Sequence, residues 1–173
     1  MTQVEYAALL RGVSPTNAPS AELRAAFEAA GFDEVSTVLA SGNVLFRAGR
    51  RCAPATVRRR AERALEERLG RTFLTIVRPV DELRALIAAD PWKDWPLADG
   101  AKKVVTFHLS EPAEPPPLPV VHSDGTIHDL RGTESFCSYV PGPRGGAFMT
   151  VIERTFGKEV TTRTWDTVRR LAR

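Results

Sequence analysis

Short apolar runs and helical stripes alternate at the beginning of the chain. Residues 4–10 form an apolar run that is typical of a buried strand. The next apolar positions recur at i, i+3, i+4 and i+7, the spacing of one helix face; they are Leu23, Ala26, Phe27 and Ala30. Ser20 is predicted to be the N-cap of this helix, and Gly31 the left-handed residue that ends it. The pattern therefore predicts a strand, a loop and a helix.

The following residues add two strands, a second helix and a fourth strand. Residues 35–40 and 43–46 are predicted strands joined by a turn at Ser41-Gly42. Pro54 suits the first turn of a helix that ends at Gly70. Residues 72–78 are β-branched and apolar, as in a strand. The order βαββαβ predicts a ferredoxin-like unit over residues 1–80, with four antiparallel strands backed by two helices.

The second half of the chain, residues 81–173, is less regular. Five prolines within residues 111–119 predict an extended connection, because proline lacks the N–H that a helix or sheet needs. Asp124-Gly125 lies between two β-rich flanks and predicts a hairpin over residues 120–130. The other predicted elements are helices at 81–89, 146–156 and 164–172 and strands at 103–109 and 135–140. We expect a second, irregular α+β unit on the same plan.

Two segments, residues 6–46 and 152–168, resemble a known family. Arg11-Gly12 follows the first strand, the turn reads Ser41-Gly42-Asn43-Val44, and residues 152–168 read IERTFGKEVTTRTWDTV. In this order they resemble the two ends of the domain-of-unknown-function 1697 (DUF1697) family of uncharacterised bacterial proteins. The resemblance implies two paired ferredoxin-like units and no particular activity. Thr164 and Asp166 stand where the family has Asn, and a Thr164 hydroxyl can still cap the last helix.

The composition is that of an ordinary globular protein, with 43% hydrophobic and 26% charged residues in 173. No apolar run approaches the roughly 20 residues that span a bilayer, and no secretory signal pattern opens the chain. We therefore expect a cytoplasmic protein with no membrane partner. Arg far outnumbers Lys, which suggests a GC-rich bacterial genome.

Metal, cofactor and catalytic signals are weak. Cys52 and Cys137 are distant in sequence and form no Cys-x-x-Cys pair, so no metal or cofactor is predicted. His122 and His128 flank the predicted hairpin turn, but two imidazoles without a third ligand make a poor metal site. No nucleophile, base or carboxylate pair has the spacing of a known catalytic motif.

The loop from Arg11 to Asn17 is the first candidate for ligand binding. A loop between a strand and a helix can direct backbone N–H groups at an anion, and Arg11 can bind phosphate or carboxylate through two hydrogen bonds. The glycine and lysine spacing of a P-loop is absent. The alternative is structural: Arg11 pairs with a carboxylate or caps a carbonyl.

The Ser41-Gly42-Asn43 turn and the C-terminal segment supply the other candidates. Gly42 is expected at positive φ and Asn43 is expected to bond locally; whether this turn meets the Arg11 loop depends on strand order. Arg163 is the best side chain for a ligand contact near the C-terminus. The alternative is structural: Arg163 forms an ion pair with a carboxylate, and Trp165 lies in the core. Arg144-Gly145-Gly146 could form another anion nest. The predicted ligand set is Arg11, Gly12, Asn17, Ser41, Gly42, Asn43 and Arg163.

Basic residues concentrate between Arg47 and Arg78, where ten Arg accompany three Glu. Such a segment can attract polyanions. However, Arg58 with Glu62 and Arg63 with Glu67 have the i,i+4 spacing of a solvated helix face. RNA-recognition modules of the same topology stack bases on strand aromatics, and the first and third strands carry one aromatic residue each. Nucleic-acid binding is therefore possible but disfavoured.

Three hypotheses follow. The first is a binding module for a small anionic ligand. The second is non-specific nucleic-acid binding through the Arg47–Arg78 surface, and the third is an enzyme acting on a phosphorylated or carboxylated metabolite. Exposed sheet edges can pair with another copy, so a homodimer remains an open alternative.

Overall fold

The computed structural model describes residues 2–50, 52–143 and 146–173. The chain divides into two compact units, one reaching to Ala85 and including Arg169–Arg173, the other Leu86–Val168. The elements that open the chain are β1 (Gln3–Leu10), α1 (Ser20–Ala29), β2 (Asp33–Thr37), β3 (Asn43–Gly49), α2 (Pro54–Leu69) and β4 (Thr75–Pro79). The predicted α+β class is confirmed.

The strands of the first unit form an antiparallel sheet in the order β2–β3–β1–β4. β1 and β2 are parallel to each other with β3 between them, the arrangement expected of a split βαβ unit. Alternate residues of β1 contribute to one core with the two helices, because successive strand side chains point to opposite faces. That core contains Tyr6, Ala8, Leu10, Leu23, Phe27, Phe46, Val57, Ala61 and Leu65.

Aromatic rings dominate the centre of this core. The Phe46 ring centroid lies 4.5 Å from that of Phe32, 5.1 Å from Phe27 and 5.8 Å from Tyr6. Rings at these separations contribute beyond the area that they bury. The helices are thereby fixed over β1 and β3, the two central strands.

The helix ends follow the sequence with one exception. Gly31 and Gly70 both have positive φ, as expected of residues that end helices. The prediction that Ser20 caps α1 is wrong. Pro19 occupies that position with ψ 146°, and its carbonyl accepts hydrogen bonds from the N–H groups of Glu22 (2.9 Å) and Leu23 (3.0 Å). Ser20 therefore takes the first helical position.

The elements of the remaining chain are α3 (Val80–Ala89), a 3₁₀ turn (Pro91–Asp94), β5 (Lys102–His108), β6 (Val120–His122), β7 (Gly125–Arg131), β8 (Glu134–Tyr139), α4 (Ala147–Phe156), β9 (Val160–Thr164) and α5 (Trp165–Leu171). The second sheet has the order β6–β7–β8–β5–β9 and is antiparallel. The predicted hairpin at Asp124-Gly125 is confirmed, since His122 pairs with Gly125.

Four strands of the second sheet repeat the order of the first. β7–β8–β5–β9 corresponds to β2–β3–β1–β4, so both sheets are compatible with ferredoxin-like units. Where the first unit has α1 between its first two principal strands, the second has the proline-rich segment and β6. Prolines without N–H groups prevent a helix there. One hydrophobic cluster of this unit joins the sheet to α4 through Val104, Ile127, Cys137, Phe148 and Ile152.

β9 was not among the predicted elements. Its sequence, VTTRT, is rich in β-branched residues, which favour strands. It pairs with β5, with Val105 opposite Arg163. The residues that resemble the family signature therefore belong to a strand of the sheet.

Among the residues that the structure describes, no helix is both long enough and apolar enough to cross a bilayer.

Replacing Gly125 with Ala should destabilise the protein. A Cβ at Gly125 would lie 2.5 Å from the Ser138 carbonyl oxygen and 2.7 Å from Tyr139 Cβ. Backbone cannot yield as a flexible side chain can, so we expect a loss of about 1–3 kcal/mol in the free energy of unfolding, measured by urea denaturation.

Gly49→Ala is the matched control. Gly49 also lies in a strand, and no atom approaches its Cβ position within 4 Å. Equal losses for the two variants would show that crowding at β7 is not the cause.

Candidate functional site

The Arg11 loop and the Ser41–Asn43 turn meet at one end of the first sheet. β1 and β3 are antiparallel and Leu9 pairs with Asn43, so the end of β1 lies beside the start of β3. The Leu10 N–H donates to the Gly42 carbonyl at 2.8 Å. The strand order thus brings together two segments whose meeting the sequence left open.

Gly42 packs directly on the loop. Its φ is +78°, as predicted for this turn. A Cβ at Gly42 would lie 2.9 Å from Val13 Cβ and 3.0 Å from the Leu10 carbonyl oxygen. Glycine is therefore required both by backbone conformation and by the close approach of the loop. Val13 was not singled out in the sequence, because its contact follows only from the strand order.

Asn17 shapes the loop from within. Its Nδ2 donates to the Gly12 carbonyl at 2.8 Å, and its Oδ1 accepts from the Ser14 N–H at 2.8 Å. Such a side chain stabilises a tight turn by replacing backbone hydrogen bonds. Asn17, predicted as a ligand contact, thus has an amide that already holds the loop conformation.

Asn43 holds the turn in the same way. It is fully buried, and its Nδ2 donates to the Val38 carbonyl at 2.9 Å and lies 3.1 Å from Ser41 Oγ. The Val38 N–H donates to the Asn43 carbonyl in return, at 2.9 Å. The interpretation that Asn43 bonds locally is confirmed. Ser41 is exposed at the tip of the turn.

Arg11 and Gly12 lie at the surface of this end of the sheet. Arg11 is half-buried and its N–H donates to the Leu74 carbonyl at 2.9 Å. Gly12 is exposed, has φ +75°, and has no atom within 4 Å of its Cβ position. A ligand can therefore approach the Gly12 backbone closely.

Arg163 belongs to the second unit, whereas the other six predicted ligand residues belong to the first. Its Nη1 donates to Thr161 Oγ1 at 2.7 Å and to the Thr162 carbonyl at 2.9 Å. Burial lowers the pKa of the Arg163 guanidinium to about 10, so it remains charged at neutral pH. Trp165 is buried, as expected.

Thr164 keeps the capping role expected of it. Its Oγ1 accepts from the Thr167 N–H at 3.3 Å, at the start of α5. Of the predicted nest at Arg144-Gly145-Gly146, Arg144 and Gly145 lie outside the described residues.

The histidines of the hairpin are not paired with each other. His122 is opposite Gly125, whereas His128 contacts Ser138 Oγ at 2.7 Å and stacks on Trp95 at 5.2 Å between ring centroids. Within the ranges that the structure describes, no three His, Cys, Asp or Glu side chains cluster as metal ligands.

Much of the positive charge between Arg47 and Arg78 is offset by carboxylates. The two ion pairs expected from i,i+4 spacing are present, and two more join α2 and β3 to other elements. They are Arg58–Glu62 (3.0 Å), Arg63–Glu67 (2.8 Å), Arg68–Glu22 (2.7 Å) and Arg47–Glu34 (3.2 Å). The surface is therefore less cationic than the residue count indicates.

The comparisons with known proteins give a family and a fold. A family model described as "Protein of unknown function (DUF1697)" matches residues 2–129. The solved structure of the conserved bacterial protein SP0830 from Streptococcus pneumoniae superposes with a TM-score of 0.69 at 17% sequence identity. The match covers 99% of this chain and 97% of that one. No curated protein matches the chain.

Gly42→Ala should cost more stability than Gly12→Ala. Both glycines have positive φ, so an alanine at either position costs about 1–2 kcal/mol in backbone strain. Only at Gly42 does the new Cβ also meet the loop, which adds about 1–3 kcal/mol. Urea denaturation of both variants measures the difference, and similar losses would contradict the tight contact between turn and loop.

The two cysteines should differ in reactivity. Burial raises the pKa of Cys137 to about 12, an effect partly opposed by a hydrogen bond with Thr106, whereas Cys52 is half-buried. The thiolate is the reactive form. In native protein at pH 8 we expect one thiol to react with an aromatic disulfide reagent, and the second only after unfolding. Cys52→Ser should abolish the native reaction, and a persisting reaction would show that Cys137 is accessible.

Proposed function

The chain belongs to the DUF1697 family of proteins of unknown function, and we propose that it is a binding module for a small anionic ligand. The observation that carries the proposal is the junction of the Arg11 loop with the Ser41–Asn43 turn at one end of the first sheet. The adjoining segments carry Arg11 with its guanidinium, the exposed Gly12, and Ser41, an exposed residue with a hydroxyl, and these residue types support the proposal.

The residues of this site have different roles. Arg11 is the cation and can bind a phosphate or carboxylate through two hydrogen bonds. The Gly12 backbone and Ser41 Oγ are the neighbouring contacts. Asn17, Gly42 and Asn43 act as positioning residues, because their amides and close packing hold the loop and the turn.

Arg163 is proposed as a separate anion contact in the second unit. Its desolvated guanidinium interacts more strongly with an anion than an exposed one does, since the local dielectric constant is lower. Its hydrogen bonds to Thr161 and Thr162 fix its direction.

The two rival hypotheses have less support. Tyr6 and Phe46, the aromatics of β1 and β3, are 3% and 1% exposed, so bases cannot stack on them. His108 contacts Ser135, a pairing that enzymes use to activate a hydroxyl, but the two side chains are 2% and 0% exposed. Neither observation favours base recognition or catalysis.

A thermal-shift panel of phosphorylated and carboxylated metabolites tests the proposal. A ligand at about 100 times its dissociation constant adds about 2.7 kcal/mol to the free energy of unfolding, which raises Tm by about 5–10 °C. We expect such a rise for the wild type, its loss in Arg11→Gln, and a smaller loss in Arg163→Gln.

Arg24→Gln is the control for the change of charge. Arg24 is exposed on α1, where it pairs with Glu28, and it belongs to neither the loop nor the turn. The proposal fails if Arg24→Gln and Arg11→Gln reduce the ligand-induced shift equally, or if no anion shifts the wild type.

A further inference from the structure

α1 and α2 run in opposite directions and leave a groove between them. Arg68, near the end of α2, pairs with Glu22 at the start of α1, while Arg60 donates to the carbonyl of Ala30 at the end of α1. The groove has a volume of about 460 Å³ and is lined by three arginines, three alanines and Glu67. The small alanine side chains leave space for a ligand, and the arginines supply positive charge.

The three arginines form a row. Arg60, Arg63 and Arg68 follow one another along α2, and all three line the groove. Eight residues of helix separate the first from the last, which is about 12 Å along the axis. A row of cations of this length matches an anion whose charges repeat along a chain better than a single compact anion.

Arg60 is held in place by the protein. Its Nη2 donates to the Ala30 carbonyl at 2.6 Å, and its guanidinium lies 4.7 Å from the centroid of the Phe32 ring. Gly31 permits this position, because its Cβ site is only 3.2 Å from Arg60 Nη2. Arg60 thus places a fixed cation beside the negative end of the α1 dipole.

Arg63 and Arg68 are held by ion pairs at the protein surface. Their partners are Glu67 and Glu22, and the side chains of both pairs are between 42% and 81% exposed. Exposed ion pairs contribute little to stability, so an incoming anion can displace the carboxylates at small cost. Glu67 itself lines the groove and opposes the anion.

We propose that the groove between α1 and α2 binds a linear oligophosphate, free or as part of a small molecule. A planar guanidinium can donate two parallel hydrogen bonds to the oxygens of one phosphate. A row of three arginines can therefore bind more than one phosphate. A nucleic acid fits less well, since none of the described residues that line the groove is an aromatic on which a base could stack. The site shares no residue with the Arg11 site, so either can fail alone.

Calorimetric titration of the full chain with tripolyphosphate tests the proposal. Arg63→Gln and Arg68→Gln should each raise Kd about tenfold, because each variant removes a charged hydrogen bond to a phosphate. Glu67→Gln should lower Kd, because it removes the opposing charge. Orthophosphate and citrate should bind more weakly than tripolyphosphate at equal ionic strength.

Matched controls lie on α1. Arg24 and Glu28 form an i,i+4 pair at 2.8 Å, the same distance as Arg63 and Glu67, but they do not line the groove. Arg24→Gln and Glu28→Gln should leave Kd unchanged.

Four outcomes would overturn the proposal. The first is an equal change of Kd in Arg24→Gln and Arg63→Gln, and the second is citrate binding as tight as tripolyphosphate binding. The third is binding of a short oligonucleotide but not of tripolyphosphate. The fourth is loss of tripolyphosphate binding in Arg11→Gln while Arg63→Gln binds it as the wild type does. The last outcome would place the anion at the end of the sheet and support the Arg11 site instead.

Discussion

The antiparallel pairing of β1 with β3 is the constraint on which the first unit depends. Its register runs from Gln3 opposite Gly49 to Leu9 opposite Asn43. Because strand side chains alternate between faces, a shift of one residue would turn the apolar residues of a strand away from the helices. The same register places Tyr6 opposite Phe46 in the core and brings the Arg11 loop to the Ser41–Asn43 turn. Core and candidate site are thus consequences of one pairing.

The sequence predicted the elements whose signal is local. Helical stripes, turn glycines and apolar strand runs lie within a few residues of one another, so periodicity reveals them. β9 was missed because its polar, β-branched residues find their partner strand β5 more than fifty residues earlier in the chain. Ser20 was predicted as the N-cap because serine is a common capping residue and precedes the apolar stripe. In the structure the backbone of Pro19 already occupies the N-cap position of α1. Long-range strand pairing therefore determines β9, and backbone geometry determines the start of α1.

For the candidate site, residue types were predictable and their roles were not. Asn17 and Asn43 have the chemistry of ligand contacts, yet their amides hold the loop and the turn. That distinction requires the positions of the Gly12 and Val38 carbonyls, which depend on the folded backbone. The groove between α1 and α2 could not be predicted from the sequence either, because Ala30 and Arg60 come into contact only when the two helices pack.

The arginines between Arg47 and Arg78 show why net charge is a poor guide to anion binding. Their count predicts a broad cationic surface, but carboxylates of α1, α2 and β2 neutralise much of it. The three groove arginines differ in the contacts that hold them. Arg60 is held by a carbonyl and an aromatic ring, whereas Arg63 and Arg68 pair with exposed carboxylates, and exposed ion pairs contribute little to stability.

An anion that engages all three arginines must displace two carboxylates, and each displacement costs little because the ion pairs that it breaks are exposed. Each arginine then donates charged hydrogen bonds to a phosphate instead. A monovalent anion makes too few such hydrogen bonds to offset the loss of both ion pairs along the row of arginines. Exchanging weak ion pairs within the protein for bonds to a multivalent ligand therefore favours a longer anion over one that only carries more charge. This selectivity comes from the way the arginines are held and not from their number.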